Sequence, residues 1–376
     1  MAVIKLLIAD DSALVRKLLT GIFAAEGDFD IRVARNGREA LELARSFEPD
    51  VVTLDVHMPE MNGLDCLDRI MVETPRPVVM VSSLTEDGAR ETLRAMDLGA
   101  IDFVAKPEGA VSLEIDSLRS ALVEKVRAAA KAKLRRSLRL RDRVRHRIGS
   151  VAPVGAQQRT LSEPALPRAA SGQSYCAPGP EDSPKGFAGL VLIGASTGGP
   201  PAIEAVLSRL PGNFSWPILI AQHLPASFTG PFARRLDGLC ALEVVEVAGP
   251  APLRPGRVYI GRGDADLIVA PRAAGPIAMS APAAADYPWH PSVERFVTSA
   301  LAQVPAARLI GVLMTGMGSD GSVAMARLKS EGGRTIAEAE STAVVWGMPG
   351  ALVMNGGAGV VAPLEDIADA IIEMVS

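Results

Sequence analysis

Residues 194–200 read GASTGGP, with three glycines and two hydroxyls directly after the apolar run 189–193. Such a stretch suits either a phosphate-binding loop or a serine nucleophile on a tight strand-to-helix turn. A phosphate loop of the kind G-x-x-x-x-G-K-[ST] needs a lysine, where this chain has Pro200. The pattern G-x-S-x-G does match at 194–198 and places Ser196 at its centre. A glycine-rich turn without chemistry is the alternative.

A serine nucleophile needs a base, and the chain has four histidines: His57, His146, His223 and His290. His223 follows the apolar stretch 216–221, at the carboxyl end of a predicted strand. His290 lies in the proline-containing stretch YPWHPS, which predicts an irregular loop. We therefore predict His223 as the base, with a buried structural histidine as the alternative.

The third member of a triad is a carboxylate on another strand end. The apolar run 309–314 leads into TGMGSDG, which places Asp320 in a glycine-rich turn. Asp320 there either orients the base or caps the following helix. The chain order Ser196, His223, Asp320 differs from the Ser, Asp, His order of α/β-hydrolases, so we expect a different catalytic fold.

Polar residues also follow predicted strands in the first half of the chain: Asp10, Asp11, Asp55, Ser82 and Lys106. In an open parallel sheet these strand ends face one crevice. Carboxylates gathered there repel one another unless a hard cation such as Mg²⁺ is bound. With a lysine and a hydroxyl alongside, the set predicts a site that stabilises a phosphoryl group on a carboxylate.

Strand and helix patterns alternate in both halves of the chain. Strands are predicted at 5–9, 31–34, 51–54, 78–81 and 102–105, with helices at 12–25, 37–47 and 86–98 between them. This rhythm predicts a doubly wound, flavodoxin-like parallel sheet. It returns from 187 with strands at 190–194, 216–221, 257–260 and 309–314, which predicts a second doubly wound α/β domain.

The segments LLIADDSALVRKLL, VTLDVHMPEMNGLD, VMVSSLTEDGA and LGAIDFVAKP together resemble a response-regulator receiver domain. The resemblance implies that Asp55 accepts a phosphoryl group from a histidine kinase. The Mg²⁺ ligands that it implies are Asp10, Asp11, Asp55 and the main-chain carbonyl of His57. The phosphoryl-site partners that it implies are Ser82, Lys106 and the switch aromatic Phe103.

The second half, with GASTGGP, AQHLPASFTGPFARRL, WHPSVERF, GVLMTGMGSDG and EGGRTIAEAESTAVVWGMP, resembles the chemotaxis methylesterase (CheB) family. The resemblance implies that glutamate γ-methyl esters of chemoreceptors are hydrolysed to release methanol, and that receptor glutamines are deamidated. It implies acyl transfer through Ser196, His223 and Asp320, with backbone amides near Thr197 and Met317 stabilising the oxyanion. It implies a cytoplasmic protein whose esterase reaction needs no cofactor.

The expected organisation is a receiver domain at 1–128, a basic helix extension with a linker at 129–186 and a catalytic domain at 187–376. The stretch 149–186 is rich in Pro, Gly, Ser and Ala, which is typical of a flexible linker. We expect the unphosphorylated receiver to pack over the Ser196 crevice, and phosphorylation of Asp55 to move it away.

Composition narrows the alternatives. No apolar run approaches the roughly 20 residues of a membrane span, and no targeting leader is recognisable, so we expect a cytoplasmic protein without membrane insertion. The three cysteines lack metal-site spacing, which indicates a reduced protein. Residues 125–147 hold 11 Lys or Arg and one Asp. This basic run predicts a solvated continuation of the last receiver helix, a surface for an acidic receptor bundle, or a nucleic-acid contact.

Two rival functions follow from these features. A receiver-controlled DNA-binding regulator has only the basic run in its favour, because residues 187–376 hold 12 basic and 16 acidic residues and no helix-turn-helix pattern. A receptor-binding adaptor would share the fold but not the activity. The complete set Ser196, His223 and Asp320 argues against it.

Overall fold

The computed structural model describes residues 3–82, 85–106, 114–132 and 187–376. The predicted linker, most of the basic run, His146 and Cys176 lie outside these residues. None of the helices within the described ranges is both long and apolar enough to cross a lipid bilayer.

The first half forms one parallel sheet with helices on its two faces. Its elements are β1 (Ile4–Ala9), α1 (Ala13–Ala24), β2 (Phe29–Ala34), α2 (Gly37–Ser46), β3 (Val51–Asp55), α3 (Gly63–Glu73), β4 (Val78–Ser82), α4 (Glu86–Leu98), β5 (Asp102–Ala105) and α5 (Glu114–Ala130). The strand order is β2-β1-β3-β4-β5, and all neighbouring pairs are parallel. Every residue of β3 and β4 is buried, as expected for central strands covered on both faces.

Short polar side chains start the helices of this half. Ser12, Asn36, Asn62 and Thr85 each accept a hydrogen bond from a backbone amide of the first turn that follows. These caps satisfy amides that the helix itself leaves unpaired. Three of these helices, α1, α3 and α4, follow strands whose carboxyl ends carry Asp10, Asp55 and Ser82.

The second half is a larger α/β unit. Its elements are β6 (Leu190–Ala195), α6 (Gly199–Leu207), β7 (Ile218–Gln222), α7 (Ala226–Leu239), β8 (Glu243–Val247), β9 (Ala251–Pro252), β10 (Arg257–Gly261), β11 (Ala265–Ala270), β12 (Ile277–Pro282), α8 (Val293–Leu301), a 3₁₀ turn (Ala306–Arg308), β13 (Leu309–Leu313), α9 (Ser322–Ser330), β14 (Arg334–Glu338), α10 (Met348–Met354), β15 (Val360–Ala362) and α11 (Leu364–Val375).

The strand order of this half explains where its crevice lies. A seven-stranded sheet has the order β15-β14-β13-β6-β7-β10-β8, with parallel pairing throughout. From β6 the chain winds first toward β7 and later returns to β13 on the other side. The carboxyl ends of β6 and β13 therefore meet at the point where the winding direction changes, which is where open α/β sheets bind ligands.

One feature of the second half is absent from the predicted pattern. Strands β11, β12 and β9 form a separate antiparallel sheet. Residues of β11 and β12 pair over 265–282, and α8 packs against β11. This small sheet supports the loop 283–292, which leads back to the crevice.

Contacts between the two halves include those of α4 and β5 of the first with α6 and α7 of the second. Arg235 in α7 lies 2.6 Å from Asp97 of α4 and 2.8 Å from Glu204 of α6. The ring of Phe103 at β5 stacks on Phe228 of α7, with 4.2 Å between centroids. The receiver-like half is thus packed beside the crevice of the other half.

The described part of the basic run belongs mainly to α5. Arg127 lies 2.8 Å from Asp28 and 3.1 Å from Glu26, and Lys125 lies 3.1 Å from Asp102. These cations are matched by acidic neighbours within the first half, which weakens the nucleic-acid interpretation for this part of the run.

Candidate active site

Ser196 lies in the turn between β6 and α6. Its amide donates to the carbonyl of Thr315 at 3.0 Å, which ties the turn to the loop after β13. Gly198 has φ +76°, a left-handed conformation that a side chain strains, and a Cβ added there would lie 2.7 Å from Val344. Pro200 occupies the first turn of α6. The sequence therefore folds here into a sharp elbow with the serine at its apex.

Gln222, the last residue of β7, supports this elbow from below. Its side chain is buried, and its Nε2 donates to the carbonyl of Ser196 at 2.9 Å. A Cβ on Gly199 would lie 1.9 Å from Gln222 Oε1. Glycine at 199 thus makes room for the amide that holds the main chain of the serine.

His223 and Asp320 are in direct contact, although they lie 97 residues apart. His223 Nε2 lies 2.9 Å from Asp320 Oδ2, and both side chains are 7% exposed. Asp320 also accepts hydrogen bonds from the Val293 and Glu294 amides at 2.7 and 2.9 Å, and from Ser292 Oγ at 3.1 Å. Asp320 therefore caps α8, a helix that precedes it in the chain.

The environment of Asp320 keeps its carboxylate charged. Burial by itself raises the pKa of Asp320, but the hydrogen bond and the charge of His223, with the α8 amides, bring the pKa below its usual value. A carboxylate with four donors is fixed in orientation. Asp320 can therefore hold the His223 ring in one tautomer.

The predicted nucleophile Ser196 and the predicted base His223 are not hydrogen-bonded to each other in this arrangement. Within the described ranges, no hydrogen bond joins Ser196 Oγ to His223. The main chain of His223 is nonetheless adjacent to the elbow, because its amide donates to the Ala195 carbonyl at 3.2 Å. Since Asp320 holds Nε2, the ring nitrogen without a hydrogen bond among the described residues is Nδ1.

Two amides near Ser196 are candidates for an oxyanion hole. Among the residues whose placement is described, neither the Thr197 nor the Met317 amide donates a hydrogen bond. Gly316, just before Met317, lies against the serine, since a Cβ there would be 2.8 Å from Ser196 Cβ. Free amides beside a nucleophile suit a developing negative charge.

The carboxylates of the first half come together at the ends of β1 and β3. Asp10, Asp11 and Asp55 each place an oxygen within 4.8 Å of the other two. Lys106 Nζ lies 2.7 Å from Asp55 Oδ2 and 3.2 Å from Asp10 Oδ2. Burial raises the pKa of Asp55 to about 6; the Lys106 hydrogen bond opposes this rise and the Asp10 charge adds to it.

This donor set fits a hard divalent cation. Asp10 Oδ2 is buried and has no hydrogen-bond partner, although its carboxylate faces Lys106. Oxygen ligands with a surplus of negative charge are the preference of Mg²⁺. The fit rests on the residues themselves and on that buried oxygen, which accepts no hydrogen bond although Lys106 Nζ lies 3.2 Å away.

The other predicted phosphoryl-site residues point in different directions. Ser82 is buried and its hydroxyl donates to the Gly88 carbonyl at 3.2 Å. The His57 amide donates to Asp55 Oδ1 at 3.3 Å, whereas its exposed side chain lies 3.0 Å from Glu91 of α4. Phe103 stacks on Phe228 of the second half.

A direct contact links the first half to the elbow. Thr197 Oγ1 donates to Asp102 Oδ2 at 2.5 Å, and Lys125 Nζ lies 3.1 Å from the other oxygen of Asp102. Ser196 keeps 9% of its surface exposed and Thr197 keeps 2%. In this arrangement Ser196 is covered.

Comparison with known proteins follows the same division of the chain. A family model described as CheB methylesterase matches residues 191–371, and one described as response regulator receiver domain matches residues 6–115. A protein-glutamate methylesterase/protein-glutamine glutaminase 2 of Rhodopseudomonas palustris is 61% identical over 370 residues, covering 98% of each chain. The chain belongs to the CheB methylesterase family.

Two further relatives of this CheB-family chain extend the comparison. A protein-glutamate methylesterase/protein-glutamine glutaminase 3 of Rhodospirillum rubrum is 50% identical, over 97% of this chain and 94% of the relative. The crystal structure of the Thermotoga maritima CheB methylesterase catalytic domain is 34% identical, with a TM-score of 0.48, and covers 50% of this chain and 98% of that chain.

Sequence reasoning missed several residues that shape this CheB-type site: Gln222, Trp289, Ser292 and Thr315. Thr315 Oγ1 donates to the Thr197 carbonyl at 2.9 Å and accepts from the Val345 amide at 3.0 Å. The Trp289 ring stacks on His223, with 5.5 Å between centroids. Gln222 and Thr315 directly adjoin predicted motif residues, so their position was a usable signal. No sequence signal indicated that Trp289 would stack on His223.

Proposed function

We propose that this chain is a phosphorylation-regulated hydrolase of glutamate γ-methyl esters and glutamine γ-amides on methyl-accepting chemoreceptors. The relatives' names supply the two activities. The observation that carries the proposal is the His223–Asp320 pair beside the elbow of Ser196, at the carboxyl edge of the sheet. Ser196 is the nucleophile, His223 the base and Asp320 the orienting acid.

Acylation begins with attack of Ser196 Oγ on the γ-carbonyl carbon of the substrate. The serine proton passes to Nδ1 of His223 once the ring reaches hydrogen-bond distance, and Asp320 stabilises the imidazolium. The negative charge on the former carbonyl oxygen is stabilised by the Thr197 and Met317 amides. Collapse breaks the carbon–methoxy bond, and the leaving group takes the proton from His223 as methanol.

Deacylation uses the same groups in the opposite order. His223 takes a proton from water, and the hydroxide attacks the glutamyl–Ser196 ester. The bond to Ser196 Oγ breaks, the serine recovers the proton from His223, and the γ-carboxylic acid leaves and releases its own proton to solvent to become a γ-carboxylate. An amide substrate follows the same course with ammonia as the first product, so one triad serves both reactions.

The first half supplies control. Asp10, Asp11 and Asp55 would hold Mg²⁺, which supplies positive charge against the carboxylates and the phosphoryl oxygens. Asp55 would accept the phosphoryl group from a histidine kinase, with Lys106 as a fixed cation beside it. The main-chain carbonyl of His57 and the hydroxyl of Ser82 complete the proposed site.

The receiver regulates the activity by covering the elbow around Ser196. The hydrogen bond between Asp102 and Thr197 and the Phe103–Phe228 stack hold the receiver against the residues that must bind substrate. A phosphoryl group on Asp55 shifts β4 and β5 through Ser82 and Lys106, which loosens those contacts. The enzyme is then active when the receiver has moved off.

The test is methanol release from membranes that carry methylated chemoreceptors. Wild type, Ser196→Ala and Asp55→Asn are compared with and without Mg²⁺ and a small phosphodonor. We expect release that requires Ser196, rises with the phosphodonor in wild type and does not rise in Asp55→Asn.

Each outcome separates the parts of the proposal. Release that does not change with the phosphodonor supports the hydrolase activity and contradicts the proposed regulation by the receiver. Release that persists in Ser196→Ala contradicts the assigned nucleophile. If no sample releases methanol, the adaptor interpretation replaces the enzyme.

A further inference from the structure

Trp289 covers one face of the His223 imidazole. The two rings lie 11° from parallel, with 5.5 Å between centroids. Trp289 comes from the loop 283–292, which crosses from the small antiparallel sheet to α8. The indole is the aromatic ring that stacks on the predicted base.

Asp320 alone does not fix the ring of His223. Its hydrogen bond to Nε2 positions one nitrogen at the ring edge. A single in-plane hydrogen bond leaves the tilt of the ring plane to whatever packs against its faces. The direction of Nδ1, which must point at Ser196, depends on that tilt.

The loop that carries Trp289 is itself held on both sides. His290 Nδ1 lies 2.9 Å from Oδ1 of the fully buried Asp266, and that oxygen also accepts from the Ser292 amide at 2.9 Å. Arg295 Nη1 pairs with the other oxygen of Asp266. Ser292 Oγ reaches Asp320 at 3.1 Å. These contacts therefore hold the loop, and with it the indole of Trp289, in one position.

From this geometry we propose that Trp289 is a positioning residue for His223 that sets the ring plane and stabilises its imidazolium form. The role rests on the proposed function, because it matters when His223 takes the Ser196 proton. The positive ring that then forms faces the electron-rich indole, which is a favourable cation–π arrangement. The proton passes on to the leaving methoxide, and the neutral ring returns to the same stack.

The kinetic test uses the full chain with Mg²⁺ and a phosphodonor, and follows methanol release from methylated receptor membranes. Trp289→Leu should lower kcat by about tenfold with KM changed by less than about twofold, since the change acts on the base and not on substrate binding. Trp289→Phe keeps a ring on the imidazole and should restore most of kcat. Tyr287→Leu, in the same loop, is the matched control and should behave as wild type.

A second measurement does not depend on the reaction. With histidine-labelled protein, the indole should give ring-current shifts in the His223 imidazole signals, assigned by His223→Gln. Those signals should move in Trp289→Leu and stay in Tyr287→Leu. If wild type releases no methanol but the signals move, the proposed function fails while the stack stands.

Other results contradict the role of Trp289. Unmoved imidazole signals in Trp289→Leu overturn the stack in solution. A rise in KM with unchanged kcat makes Trp289 a substrate contact instead of a positioning residue. A Trp289→Phe variant as impaired as Trp289→Leu shows that an aromatic face is not what matters.

Discussion

At the scale of single residues, Asp320 joins two tasks that sequence patterns treat as alternatives. It bonds His223 and also caps α8 through the Val293 and Glu294 amides. The cap belongs to a helix earlier in the chain, not to the helix that follows Asp320. One carboxylate thereby holds Nε2 of His223 and the start of the helix that continues from the Trp289 loop.

Replacement of Asp320 by Asn should remove most of the activity. An amide places an N–H group where the histidine and the helix supply donors, so the His223 ring loses its tautomer and its orientation. We expect kcat for methanol release to fall by about 10³–10⁴-fold, the scale seen for the equivalent change in a serine protease triad. A loss smaller than about tenfold would contradict the assigned role. Asp369→Asn, at an exposed ion pair with Arg209, is the control.

Asp320 also links stability to pH. Its pKa is below the usual value in the folded protein, so its stabilising contribution is complete above the unfolded pKa of about 3.9 and is lost as pH falls through the folded pKa. Asp320→Asn should therefore lower the free energy of unfolding by about 1–3 kcal/mol at pH 7, with a difference that narrows below about pH 4. Urea unfolding followed by tryptophan fluorescence measures this, since all three tryptophans lie in 187–376. A difference that stays constant with pH would contradict it.

At the scale of elements, the elbow depends on the fit between α6 and β7. A Cβ on Gly199 would lie 1.9 Å from Gln222 Oε1, and Gln222 cannot turn away without giving up its hydrogen bond to the Ser196 carbonyl. Gly199→Ala should cost about 1–3 kcal/mol of stability and lower kcat, because the serine loses its support. Urea unfolding and methanol release measure the two effects.

Two matched controls separate the steric overlap with Gln222 from the general effect of replacing a helical glycine by alanine. Gly238, in α7, has open space where a Cβ would project, with no heavy atom within 4 Å, so Gly238→Ala should leave activity unchanged and stabilise slightly. In a Gln222→Ala background the overlap with the amide is removed and the nearest remaining atom is Ala195 Cβ at 3.0 Å, so Gly199→Ala should cost less than in wild type. Equal costs in both backgrounds would show that the amide is not the cause.

At the scale of the whole molecule, we expect activity to depend on how firmly the receiver is held over the crevice. Arg235 bridges Asp97 of the receiver and Glu204 of the catalytic half. Asp97→Ala removes the Arg235 ion pair between the halves and leaves the Arg235–Glu204 pair within the catalytic half. Because partly exposed ion pairs contribute modestly, methanol release without phosphodonor should rise by roughly 2- to 5-fold.

The control variant for the Asp97→Ala measurement changes an ion pair that lies entirely within the catalytic half. Asp369→Ala breaks the Arg209 pair, which lies inside the catalytic half, and should leave the basal rate unchanged. With saturating phosphodonor, Asp97→Ala and wild type should reach similar rates, since the receiver has then moved in both. A basal rate unchanged by Asp97→Ala would mean that the Asp97–Arg235 contact does not hold the covered state.

Much of the fold followed from local patterns. Strand ends, cap residues and glycine-rich turns are set by residues a few positions apart, which is why the β5 and α4 bounds match the predicted ones and others differ by one or two positions. The small antiparallel sheet was missed, because strands β11 and β12 have no strict alternation of buried and exposed residues.

The sequence by itself determined two α/β halves, polar residues at the strand ends and an elbow around Ser196, since each depends on neighbouring residues. Only the tertiary structure decided which distant side chains meet: Asp320 with the start of α8, Trp289 with His223, and Asp102 with Thr197. Such contacts depend on how loops cross between sheets and how the halves dock. No local hydrophobic periodicity or turn signal encodes these contacts, because the packing energies that select them act between elements far apart in the chain.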